Sequence, residues 1–334
     1  MDDLDLAHWA LALDGPFRTV DATAAGHSRR AIGRAIEAGV LRPLVRGALV
    51  SAEVWAAADE RTRHRTAVQA RLLQKTADSW MAARRSAAVF HDLPLLGDLP
   101  DRPQLLRPHG AAKTQAKSRH ERVGACQDHE VCERFGTQVC SLERTVFDIV
   151  REEAFRNGLI AADAALRRGL DLAALIELAR QRAHWPGALK VLRIAKLANG
   201  LHESALESLS WAGTYTCGLP LPEPQIRVYL GADLIARVDG LWRADNTIGQ
   251  ADGLFKYADR DRVIADKRQD EQLEDVGFEV VRWGWAEAYR PRGVLDDRLR
   301  RAFARGRNQR LDPRVRLVPT TLAESLRWTG LVAS

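Results

Sequence analysis

The chain has 334 residues, 46% of them apolar and 28% charged, and a formal net charge of +6. This balance excludes a disordered chain, and no run of about 18 uncharged apolar residues offers a helical membrane span. The length suits two or three domains, and a basic balance carried mostly by arginine, whose planar fork fits phosphate oxygens, points to DNA or RNA as the leading partner class.

The opening "MDDLDLAHWA" is acidic, unlike a secretory or organellar leader, so a cytoplasmic protein is expected. Apolar spacing predicts a helix through "LDLAHWALAL" that stops at Asp14-Gly15. A short second helix, "TVDATAAG", precedes a third, "HSRRAIGRAIEAG", with Ser28 as N-cap and Gly39 as terminator. "VLRPLVRGALVS" reads as two short β segments around Arg46-Gly47. Three helices and a two-stranded wing make a winged helix over residues 1–58. Ala31, Ile32, Ala35 and Ile36 supply the apolar face of the third helix, which leaves Arg29, Arg30 and Arg34 outward. Such a helix can enter a major groove while the wing, with Arg42 and Arg46, contacts backbone phosphate. The plainer alternative is a helical cap whose arginines face water.

Residues 59–198 read as a mixed α/β region. "RTRHRTAVQARLLQK" is helical and basic on one side, and "SWMAARRSAAVFHDLPLL" is expected as a helix ending before Pro94. Short strands follow in "RPQLLRP" and "ERFGTQVC", then a helix from near Ser141 and two more in "LIAADAALRRG" and "DLAALIELARQ". Between Arg61 and Arg122 there are thirteen Arg/Lys and five Asp/Glu. The cysteines, Cys126, Cys132, Cys140 and Cys217, form no CxxC and match no common zinc spacing. Loop histidines and small buried thiols, reduced in a cytoplasm, explain His120, Cys126, His129 and Cys132 better than a metal site does.

The order "GHSRRAIGRAIEAGVLRPLVRGALVS", "RRSAAVFHDLPL", "SLERTVFDIVRE" resembles the AbiEi-type antitoxin family of type IV toxin–antitoxin systems, over residues 5 to 170. The resemblance implies a winged helix ahead of an α/β domain, and DNA binding that represses the protein's own operon. It also raises a cognate toxin as a partner.

Beyond residue 199 the pattern becomes αβββαβ. "HESALESLSWAGTYTC" is a helix with Glu203 and Glu207 one turn apart on one face. "QIRVYL" and "LIARVDGLW" form a hairpin at Gly231-Ala232-Asp233, "NTIGQADG" is the third strand, and "RDRVIADKRQDEQLEDVG" is a helix closed by Gly277. "FEVVRWGW" is a buried last strand with Trp283 and Trp285 on one face. The cluster "RLRRAFARGRNQR", Arg298 to Arg310, is expected as a partly exposed helix touching backbone phosphate, and residues 313–334 as a tail after a domain spanning 199–312.

"ESALES", "ARVDGLW", "GQADGLFKY" and "DKRQDEQLEDVGFEVVRW" together resemble the PD-(D/E)XK nuclease fold, in the branch related to very-short-patch-repair endonucleases. The resemblance implies an endonuclease dependent on Mg²⁺ or Mn²⁺. Asp239 would be the central ligand, residue 250 the second and Glu207 a helix-borne acid nearby, with Asp252 where many relatives carry the strand lysine. Lys256 or Lys267 would then supply the positive group that orients water or offsets charge on the phosphorane. Phosphodiester cleavage needs a divalent ion to polarise phosphate and generate hydroxide, and magnesium prefers hard oxygen ligands. Gln250 stands where an active relative has Glu, and its amide contributes no charge.

Several readings stay open. The domain is a degenerate nuclease that keeps DNA binding, or Asp252 and Glu207 complete the site, or a Glu→Gln substitution disables it; strand-end carboxylates beside a glycine turn are the plain structural alternative. The expectation is thus an α+β multi-domain, DNA-binding protein with an endonuclease-like domain, the alternative being a non-catalytic antitoxin or transcriptional repressor. RNA is not separated from DNA, because phosphate contacts carry no sugar information.

Overall fold

The computed structural model describes residues 2–75, 80–108, 115–116, 120–253, 260–290 and 292–331. The protein is α+β and divides into two units, Met1–Ile149 and Val150–Ser334. The division falls beside residue 150, inside a helix.

The first unit opens with α1 (Asp2–Ala12), β1 (Phe17–Arg18), α2 (Thr19–Ala24), α3 (Arg29–Glu37), β2 (Leu41–Val45) and β3 (Ala48–Ser51). Ser28 starts α3 by accepting the Ala31 N–H at 3.1 Å. Gly39, at φ 72°, ends it in the left-handed conformation that glycine adopts most easily. The strands pair as β1-β3-β2, so the expected hairpin gains a third strand from the α1–α2 connection. Leu6, Ala10, Phe17, Ala22, Ala31, Ile32, Ala35, Leu41 and Leu49 form one core, edged by Trp9 and Ile36. The apolar face assigned to α3 is the buried one, packed in a core shared by the three helices and the three-stranded sheet.

The unit continues through α4 (Ala52–Ala57), α5 (Glu60–Leu73), β4 (Met81–Ala82), α6 (Arg84–Phe90), β5 (Leu105–Pro108), β6 (Gln115–Ala116), β7 (Glu121–Gly124), β8 (Val131–Arg134), β9 (Thr137–Cys140) and α7 (Leu142–Glu152). The sheet order is β6-β7-β5-β4-β9-β8, with β4/β9 and β5/β7 parallel. Met81 and Ala82, expected in a helix, sit instead between β5 and β9, because their side chains join the apolar core of that sheet. Beneath it, buried Arg144 bonds Asp148 at 2.8 Å and the Ala125 carbonyl at 2.9 Å, and lies 3.4 Å from Glu130. These partners hold the Arg144 guanidinium firmly charged despite burial.

The second unit runs α8 (Phe155–Leu166), α9 (Leu172–Gln181), α10 (Ala188–Ala195), α11 (Ala205–Thr216), β10 (Glu223–Leu230), β11 (Asp233–Trp242), β12 (Thr247–Ala251), α12 (Arg260–Asp275), β13 (Glu279–Trp283), α13 (Trp285–Tyr289), α14 (Val294–Gly306), β14 (Val315–Pro319) and α15 (Leu322–Trp328). Its sheet is ordered β13-β12-β11-β10-β14. Neighbours are antiparallel except β12/β13, whose parallel pairing needs the long crossover that α12 provides. The stretch expected as a tail contains a strand and a helix: β14 pairs with β10 from Ile226↔Pro319 to Leu230↔Val315, and α15 follows. Trp285 opens α13 rather than sharing a strand face with Trp283, since Gly284 ends the strand and caps the helix. Gly249 is required where it stands: a Cβ there would lie 2.5 Å from the Trp283 ring and 2.8 Å from the Trp242 ring. Among the described residues no helix is long and apolar enough to cross a membrane.

His64, on α5, is buried against Ser86 at 2.8 Å, and burial beside Arg61 and Arg85 lowers its pKa to about 4. A folded value below the ordinary 6.5 means stability that is complete above pH 6.5 and lost as pH falls towards 4. The loss should approach about 3 kcal/mol at one unit of pKa per 1.36 kcal/mol. Urea unfolding at pH 7 and pH 4.5 checks this: His64→Gln should show a distinctly smaller pH dependence than the parent.

Candidate functional site

The sheet of the second unit brings a polar row together across four strands. The register that pairs Pro224 with Gly240, and Ile226 with Val238, sets Gln225 opposite Asp239. On the other side of Asp239 the β11/β12 register, Gly240↔Gly249, brings Gln250 alongside, and Gln250 pairs with Arg282 on β13. Glu207 reaches the same place from the first turn of α11.

The row is joined by hydrogen bonds. Gln225 Nε2 donates to Glu207 Oε2 at 3.0 Å and reaches Asp239 Oδ1 at 3.5 Å. Asp239 Oδ2 accepts the Ala251 N–H at 2.8 Å, and the Asp239 N–H approaches Gln250 Oε1 at 3.4 Å. Glu207 accepts further bonds from the Ser204 hydroxyl at 2.7 Å and the Glu203 N–H at 2.9 Å. Glu207 is thus also the capping residue of α11, reciprocating Ser204, which takes the Glu207 N–H at 3.2 Å. Glu203 lies just outside the helix rather than one turn along it. Burial alone would raise its carboxyl, but bonds from Arg237 and Ser325 carry it below the usual range.

Gln225 is the residue that sequence reasoning missed. It is 1% exposed and holds φ 52°, a left-handed conformation costing a non-glycine residue about 1–3 kcal/mol. The Thr320 N–H, bonded to the Gln225 carbonyl at 3.0 Å, helps to hold it there. The sequence signal is slight: a glutamine opening a strand behind "PLPEP".

Asp252 has a partner of its own on β13. Arg282 Nη1 sits 3.0 Å from both of its carboxylate oxygens, while the same guanidinium bonds Asp270 at 2.6 and 2.7 Å. Burial works against the Arg282 charge, and the bonds to Asp270 and Asp252 more than restore it. Asp252, expected in the site, thus carries an ion pair with an arginine thirty residues further on. Lys256 lies outside the described residues. Lys267 is 79% exposed on α12, with Glu271 4.0 Å away, rather than turned into the row.

The donor set does not fit a divalent ion. It offers two carboxylates, one neutral amide oxygen, and between the carboxylates an NH₂ group that can only donate. Among the described residues no three His, Cys, Asp or Glu side chains come together as ligands. His120, Cys126, His129 and Cys132, weighed for zinc, form no such group either; Cys126 Sγ lies 4.0 Å from Met81 Sδ, Cys132 Sγ lies 3.9 Å from the Cys140 carbonyl, and His120 faces Asp101 at 3.7 Å. None of the four cysteines is in a disulfide.

In the first unit Arg29, Arg30, Arg34, Arg42 and Arg46 are all exposed, three on α3 and two on the wing. Arg42 stacks over Trp55 at 5.1 Å. The arginine-rich helix α14 differs from expectation. Arg298 pairs with Glu287, Arg300 with Asp296 at 2.8 Å, Arg305 with Glu279 at 2.8 Å, and Arg307 with Asp245 at 2.5 Å. Much of this charge is answered by neighbouring carboxylates, although Arg300, Arg301, Arg305, Arg307 and Arg310 all stay exposed.

No protein-family profile matches this chain. Two proteins of Mycobacterium tuberculosis, "Uncharacterized protein MT2308" of strain CDC 1551 / Oshkosh and "Uncharacterized protein Rv2248" of strain ATCC 25618 / H37Rv, are similar to it. Each is 28% identical over 190 residues, covering 56% of this chain and 68% of the relative.

Replacing Arg282 by Leu leaves Asp252 and Asp270 beside each other without their shared cation. Urea unfolding should show a loss of about 1–3 kcal/mol, the cost of orphaning partly buried hydrogen-bonded groups. Equal stability of parent and Arg282→Leu would mean that the three groups are not coupled.

Proposed function

We propose that this protein is a DNA-binding regulator of the antitoxin kind, with a C-terminal PD-(D/E)XK-type scaffold retained without metal-dependent cleavage. The observation that carries the DNA-binding part is the two-sidedness of α3. Ala31, Ile32 and Ala35 are buried in the winged-helix core, while Arg29, Arg30 and Arg34 are exposed beside a wing bearing Arg42 and Arg46. That pattern suits a helix in a groove with the wing on phosphate. Support for the scaffold comes from the αβββαβ order, the β13-β12-β11-β10 sheet and the placing of Asp239 beside residue 250. The regulator reading is preferred because Asp252 is held by Arg282, and because an amide stands both at 250 and between Glu207 and Asp239. A cytoplasmic setting and a protein partner such as a cognate toxin belong to the same reading and rest on the resemblance.

The second reading is an active endonuclease using Mg²⁺ or Mn²⁺, favoured by the convergence of Glu207 and Asp239 on one amide. Supercoiled-plasmid cleavage with either ion separates the two. The parent should leave the plasmid intact; nicking that disappears in Asp239→Ala would establish the enzyme and sink the regulator reading.

DNA binding is tested by salt titration. Arg29→Ala with Arg34→Ala should weaken binding and reduce the slope of log affinity against log salt by about 0.9 for each phosphate that is no longer neutralised. An unchanged slope would move the DNA-binding surface away from α3.

A further inference from the structure

We propose that the Gln225 side-chain amide takes the place of a cation between Glu207 and Asp239, so that Gln225, as well as Gln250, closes this site to divalent ions. The inference rests on reading the second unit as a nuclease-type scaffold, and it assigns a role to a residue that reading does not use.

Two carboxylates converging on one point repel each other unless something positive lies between them. Here the Gln225 NH₂ lies there, 3.0 Å from Glu207 Oε2 and 3.5 Å from Asp239 Oδ1. Its hydrogens carry the partial positive charge that a metal ion would supply in full, and an amide nitrogen in this role cannot serve as a ligand. An ion seeking both oxygens would have to displace the amide. That displacement is hindered, because Gln225 is fully enclosed and its backbone is pinned at φ 52° by the bond from Thr320. The remaining amide, Gln250, has its Oε1 turned towards the Asp239 N–H. Gln250→Glu alone would therefore add a charge while leaving a donor where the ion must sit.

The test is Mn²⁺ binding by the full chain, followed by calorimetry and by the electron paramagnetic resonance of free Mn²⁺, without DNA. The variants are Gln250→Glu, Gln225→Gly/Gln250→Glu, and that double variant with Asp239→Ala. Glycine adopts φ 52° without strain, and thermal unfolding without metal confirms that each variant is folded. Gln225→Asn, which tolerates the same backbone on a side chain too short to span both carboxylates, provides a second route.

The double variant should bind Mn²⁺ about tenfold or more tightly than Gln250→Glu, the scale on which groups behind metal ligands act. Adding Asp239→Ala should abolish that gain. Equal binding by Gln250→Glu and the double variant would overturn the role of Gln225 while leaving the scaffold reading intact. Weaker binding by the double variant would make Gln225 a residue that orients ligands for an ion, also overturning the proposal. Absence of Asp239-dependent binding in every variant would overturn the proposal together with the nuclease-scaffold reading.

Discussion

Charge withdrawn from water has to be answered within hydrogen-bonding reach, because an unpaired ion in a protein interior costs several kcal/mol. In this protein arginine does most of the answering. Arg144 holds Asp148 and lies beside Glu130 under the sheet of the first unit, Arg282 holds Asp252 and Asp270 at the edge of the second, and Arg237 holds Glu203 beside Glu207. A rigid fork of donors can meet two carboxylates at once, which a lysine ammonium does less well. The consequence reaches the surface. A chain that reads as strongly basic spends much of its arginine on internal or lateral pairs, and α14 is the plainest case. The unanswered charge is smaller than the residue count suggests.

The same constraint explains what is legible in the sequence. Amphipathic spacing and glycine stops are local, so α1 to α3, the wing, α11, the β10–β11 hairpin and α12 can all be read directly. Met81 and Ala82 cannot, because two residues display no period and only their neighbours make them a strand. Nor can β14: "RVRLVP" alternates, but its pairing with β10 is decided some ninety residues away in the chain. Trp285 is misplaced when strand alternation is carried past Gly284.

At the site the division falls between identity and partnership. Asp239, Gln250 and Glu207 are legible from residue type and order, and the fold does bring them near one another. Asp252 has the same residue type and lies in the same short stretch, yet its ion pair is not announced there. Its partner, Arg282, comes from the strand that lies parallel to β12 only because α12 carries the chain back. Gln225 is the extreme case, since neither composition nor spacing announces a left-handed glutamine within a strand. Its significance lies in what surrounds it.

Strain of this kind persists only where the surroundings over-determine it, and here the determinants come from the last strand and helix. Thr320, directly after β14, bonds the Gln225 carbonyl. Ser325 on α15 bonds Glu203 and receives a bond from Arg167, which also reaches the Gly200 carbonyl ahead of α11. Glu203 in turn presents its N–H to Glu207. One continuous chain of hydrogen bonds therefore runs from the C-terminal segment to both carboxylates and to the amide between them. Residues 313–334 read as a tail in the sequence; in the fold Thr320 and Ser325 help to hold the backbone twist and the carboxylate positions on which the character of the site depends. A domain that merely displayed strand-end carboxylates to solvent would need none of this. The investment of a strand, a helix and a strained residue in one buried amide argues that the geometry at Asp239 is held for a purpose, whichever ligand or partner meets it.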